Sequence, residues 1–159
     1  MAAEPYSTLT CGDRKVMFYE AMSKSLGVAP EHTQLPGTAQ SFVNEMLTSE
    51  GIAMNSKKYR YSRIFAVGFN TLCDIFLSAG IREDSAKLAR DALCVAYGFE
   101  PKTVYKDAEA LKAAAEGKSE EEVLALKDLT DLAASDTQYS YALGAGPVSY
   151  THLTLPTKA

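Results

Sequence analysis

Residues 61–79, YSRIFAVGFNTLCDIFLSA, decide the fold. Ile64, Phe65, Val67, Gly68, Leu72, Ile75 and Phe76 leave the segment little polar face. A helix apolar nearly all round belongs in the middle of a helical bundle. Gly68 in mid-helix costs about 1 kcal/mol against Ala, and the close approach of a neighbouring helix would offset that cost. Gly80 stops the run.

Upstream lies a basic stretch, Lys57, Lys58, Arg60 and Arg63, interleaved with Tyr59 and Tyr61. Before it, Thr38 opens a short helix with Phe42, Val43, Met46 and Leu47 on one side, and Gly51 closes it. Residues 28–37 hold two prolines and read as a loop. The first helix takes Asp13 as its cap, carries Val16, Met17, Phe18, Met22 and Leu26, and ends at Gly27.

Downstream, Asp84 caps a fourth helix running through Leu88, Ala92, Val95 and Ala96 to Tyr97, with Gly98 as terminator. Pro101 suits the first position of a fifth, because its missing N–H would have no partner there. That helix carries Val104, Tyr105, Ala108, Leu111 and Ala115 and ends at Gly117. Ser119 and Glu122 form a capping box for a sixth, with Val123, Leu124, Leu126 and Leu129. The fold expected is all-α, a compact bundle of about six helices with a disordered or irregular C-terminal tail.

The 159 residues suffice for one domain. Apolar residues at 47% and charged residues at 23% are ordinary globular values. The net charge of −4 argues against nonspecific binding to nucleic acid or an anionic membrane, since a polyanion wants a basic face. Cys11, Cys73 and Cys94 are odd in number and widely spaced, which reads as buried reduced thiols. No apolar run reaches the length of about 18 residues that a membrane-spanning helix needs.

From about Ala134, Thr, Ser, Tyr, Gly and Pro dominate and no helical period survives. The stretch 139–144, YSYALG, echoes 61–68, YSRIFAVG. Residues 148–159, VSYTHLTLPTKA, look like a translated sequencing adapter. The organisation expected is therefore a flexible N-terminus at 1–12, a helical domain at 13–134, the start of a truncated second repeat at 135–146, and a non-native tail at 147–159.

Four blocks carry a family resemblance. They are Arg14 to Tyr19 (RKVMFY), Phe42 to Leu47 (FVNEML), Tyr59 to Phe69 (YRYSRIFAVGF) and Tyr105 to Leu111 (YKDAEAL). In order and spacing they resemble the thylakoid-formation, or photosystem II biogenesis, family over its N-terminal half. Tyr61-Ser62-Arg63 stands where that family's first block has Tyr-Asp-Pro. The resemblance implies a non-enzymatic accessory role in thylakoid and photosystem II biogenesis or turnover, acting through protein contacts and without a cofactor. It implies a place on the stromal side of the chloroplast thylakoid, with peripheral membrane contact. The partners it implies are photosystem II or antenna subunits and an FtsH-type protease. An alternative is a structural or linker subunit of a photosystem–antenna supercomplex, which would co-purify stably with pigment complexes.

Candidate chemistry is sparse. His32 sits in a loop without companion ligands, and His152 lies in the tail, whereas a metal needs three or four convergent groups. Ser23, Ser62 and Ser140 lack the context of a nucleophile. Glu120, Glu121 and Glu122 occupy a helix first turn, where acids complement the dipole. The basic stretch is more informative. It reads either as a solvated helix start or as a docking patch, and Lys57, Tyr59, Arg60 and Arg63 are the candidate partner-binding residues, because Tyr and Arg suit interface anchors. Phe65, Ala66, Gly68 and Leu72 are assigned to packing. A third reading is a helix-turn-helix DNA binder: Cys94, Gly98 and Val104 fall at its spacing, with Thr103 to Lys106 opening the recognition helix. Asp107 and Glu109 follow immediately, however, and such spacing also arises wherever two helices meet across a Gly turn.

Overall fold

Thr10 starts the first helix. Its hydroxyl accepts from the Asp13 N–H at 3.0 Å, and the Asp13 carboxylate accepts from the Thr10 N–H at 2.9 Å. This reciprocal box makes Asp13 the third residue of the helix and Thr10 the cap, a correction to the expected start. The computed structural model describes residues 8–78, 81–134, 140 and 142–145. The expected Gly80 stop and the adapter-like segment lie outside the described residues.

Among the described residues the α-helices run, in order, α1 Cys11–Leu26, α2 Gly37–Met54, α3 Arg63–Phe76, α4 Glu83–Tyr97, α5 Pro101–Ala115, α6 Glu120–Leu124 and α7 Lys127–Ala134. A 3-10 turn, Pro30–His32, interrupts the loop before α2. There is no strand among the described residues, and the all-α class holds. Leu143 to Ala145 continue a further helical turn opened by Ala142.

Other boundaries differ from expectation as well. Gly51 does not end α2; the helix runs on to Met54 with Gly51 buried inside it. A Cβ at Gly51 would stand 3.2 Å from Cδ of Arg14, so the glycine lets α1 approach. Arg82, not Asp84, precedes the first turn of α4, and no side chain caps it. Gly117 lies one residue past the C-cap Glu116 rather than ending α5 itself. The expected sixth helix is two: Ser119 caps α6 through the Glu122 N–H, and the chain breaks at Ala125 before α7. Gly27 and Gly98 do end α1 and α4, each with positive φ, 69° and 84°.

The main packing pairs are α1 on α4 and α3 on α5, with α2 against α1 and α4. The inner residues of α3, from Ile64 to Asn70, are buried without interruption, as a central helix requires. Its C-terminal turn is not: Ile75 and Phe76 are 55% and 49% exposed. Val16, Leu26, Val95 and Leu124 likewise face outward. An aromatic cluster fills the core beside α3. Phe65 lies 5.9 Å from Tyr61, 5.7 Å from Phe99 and 6.0 Å from Phe69 between ring centroids. Such pairs add to plain area burial.

Candidate interaction surface

The basic stretch forms the connection from α2 to α3, and several hydrogen bonds tie its backbone. The Lys58 N–H donates to the Ser56 hydroxyl at 3.2 Å, and the Tyr59 N–H to the Ser56 carbonyl at 3.1 Å. Arg60 folds its guanidinium back over the turn, donating to the carbonyls of Lys57 and Tyr59 at 2.9 and 2.7 Å. Ser62 then caps α3, accepting from the Phe65 N–H at 3.2 Å.

The four sequence-predicted site residues divide. Lys57 and Arg60 are exposed, as is Lys58. Tyr59 turns inward: its ring meets Phe65 edge-on, and its hydroxyl is buried with no hydrogen-bond partner among the described residues. Burial raises its phenol well above the usual range; the charge of Glu50 pushes the same way and that of Arg14 opposes it. Arg63 is half-buried and forms a bidentate pair with Asp128 of α7, at 3.0 and 2.6 Å. Tyr61, also half-buried, donates to Asp107 of α5 at 2.6 Å. The turn therefore presents cations outward while its tyrosines and Arg63 fix it to α3, α5 and α7.

Two buried ionic residues escaped the sequence reading. Arg14 is 1% exposed and donates to the Ala96 carbonyl at 2.9 Å, at the C-terminal end of α4 where the helix dipole is negative. Glu50 is 0% exposed and accepts from the Ala142 N–H at 2.8 Å. Burial raises its carboxyl, while the Ala142 N–H and, less, the nearby Ser140 hydroxyl pull it down. The signal was present. Arg14 shares a face with Phe18 and Met22 at four-residue spacing, and Glu50 continues the Val43, Met46, Leu47 row.

Elsewhere, Phe42 stacks on Phe76 at 5.3 Å beside an apolar groove of about 810 Å³ lined also by Met46 and Leu72. His32 is exposed in the 3-10 turn. The supposed recognition helix α5 packs on α3, Val104 is buried, and Tyr105 lies under the Arg90 guanidinium at 4.4 Å. That arrangement engages Val104 and Tyr105, while Thr103 and Lys106 stay exposed. No described helix is long and apolar enough to cross a membrane.

The family model of the Thylakoid formation protein matches residues 10–151. The chain belongs to that family. Among curated relatives, Protein Thf1 of Prochlorococcus marinus (strain MIT 9313) is 28% identical over 89 residues, 56% of this chain and 37% of that protein. The chain thus spans little more than a third of the relative it matches. The solved structure of Psb29 superposes with a TM-score of 0.75 at 22% identity, covering 91% of this chain and 76% of that one. That likeness shows a shared fold.

Proposed function

We propose that this family member is a non-enzymatic accessory protein in thylakoid formation and photosystem II biogenesis, acting through protein contacts. The family match over residues 10–151 supports the role. The docking face is the α2–α3 turn, with Lys57 and Arg60 as its outward cations and Tyr59 and Arg63 holding it in shape. The single observation that favours this site is the tying of an exposed basic turn at both its backbone and its flanks. A turn ordered before binding loses little conformational freedom on docking, which favours affinity.

The partner would carry an acidic surface. Photosystem II or antenna subunits and an FtsH-type protease are the partners proposed, on the stromal side of the chloroplast thylakoid.

The test is capture of thylakoid-membrane proteins by the full chain and by the double charge reversal Lys57→Glu, Arg60→Glu. Loss of captured protein by the variant, with its helical signal intact, is expected. Equal capture by both would remove the turn as the docking face. Failure of the full chain to restore thylakoids in cells lacking their own family member would remove the role itself.

A further inference from the structure

We infer that Glu50 is a latch: its buried carboxylate is the docking point that holds the segment 140–145 against α2. Three observations meet there. The carboxylate sits on the inner face of α2, in line with Val43, Met46 and Leu47, where an isolated acid would be strongly disfavoured. Its Oε1 accepts from the Ala142 N–H at 2.8 Å, across 92 residues of sequence. Its Oε2 has no partner among the described residues.

The segment is shaped to meet it. The Ser140 oxygen accepts from the Leu143 N–H at 3.1 Å, just as Ser62 serves Phe65 at the start of α3. That leaves the Ala142 N–H without a partner inside its own turn. Ser140, Ala142 and Leu143 are all buried, so the contact lies out of reach of water. Glu50 is thus a positioning residue, and its oxygen, rather than helix α2 as a whole, decides whether the segment is docked.

The test is amide hydrogen exchange on the full chain, comparing the segment 140–145 with the inner residues of α3 as internal reference. Glu50→Ala is expected to speed exchange in the segment by about tenfold, the scale of losing a hydrogen bond to a charged group, with α3 unchanged. Glu50→Gln keeps an acceptor oxygen and is expected to retain most of the protection. An unchanged segment in Glu50→Ala, or equal loss in the Ala and Gln variants, would overturn the latch. Should Glu50→Ala unfold the bundle, Glu50→Leu, which keeps the bulk and removes the acceptor oxygen, decides: faster exchange confined to the segment supports the latch, and no change overturns it.

Discussion

The Tyr61 hydroxyl donates to the Asp107 carboxylate at 2.6 Å, tying the end of the basic turn to α5. Both the hydrogen bond and burial hold the Tyr61 phenol well above the usual range, with burial the larger cause. Tyr61→Phe keeps the ring against Phe65 and Phe99 and removes only the bond. It is expected to cost about 1.5 kcal/mol in urea unfolding, typical of a bond to a charged acceptor. Asp107→Ala in the same background should add almost nothing, since the two groups act on one another. Additive losses would mean that Asp107 stabilises the fold some other way.

Gly51 and Arg14 make a second pair. Alanine at Gly51 would gain about 1 kcal/mol of helix propensity on an open helix. Here its Cβ would meet Cδ and Nε of Arg14 at 3.2 and 3.4 Å, and Arg14 is pinned by the Ala96 carbonyl. Gly51→Ala is therefore expected to lower the melting temperature. Arg14→Met should suffer less than Arg14→Ala. It keeps the volume, whereas truncation leaves a cavity costing about 2–5 kcal/mol. Equal losses for Met and Ala would show that the guanidinium's hydrogen bond outweighs its bulk.

Two carboxyls give opposite pH signatures. The folded pKa of Glu50 lies above its ordinary 4.5, chiefly through burial. Its contribution to stability is present below that value and is lost as pH rises through the folded pKa. Glu50→Gln should therefore gain on the parent as pH is raised from acid towards neutrality. Asp13 is held below its ordinary 3.8, first by the Thr10 N–H and then by the Thr10 hydroxyl. Its contribution is present above that value and fades as pH falls through the folded pKa, so Asp13→Asn should lose its disadvantage in acid. Denaturant midpoints of the three proteins across that range check both signs.

Arg63 and Asp128 have side chains 42% and 18% exposed, so their bidentate pair is well screened. Asp128→Asn is expected to cost under about 1 kcal/mol and to cost less still in high salt. Its larger effect should be kinetic: α7 should exchange its amides faster while α3 does not. Unchanged protection of α7 would show that Leu129 alone secures that helix.

Much of the fold was legible because apolar period and glycine punctuation are local. The 61–79 run placed α3 at the centre, Gly27 and Gly98 ended their helices, and Pro101 began α5. What escaped was decided by contacts between distant elements. Gly51 looked like a stop, yet the approach of Arg14 explains it. Thr10 was overlooked because Asp13, three residues on, is an equally good cap in isolation. The site divided in the same way. Sequence marks Lys57 and Arg60 as cations, but only the fold turns Tyr59 inward and assigns Arg63 to Asp128. Arg14 and Glu50 are readable from helical spacing, against the general tendency of charged side chains to stay exposed.

The bond from Arg14 to the Ala96 carbonyl joins the first helix to the end of the fourth across 82 residues. It gives the molecule a mechanical polarity. A motor pulling on the N-terminal side must break a buried charged bond before α1 comes away. One pulling from the other side meets first the single bond from the Ala142 N–H to Glu50 and then a short helix held by a half-exposed ion pair. Under load the chain should unravel from its C-terminal side first, with α1 to α4 surviving longest.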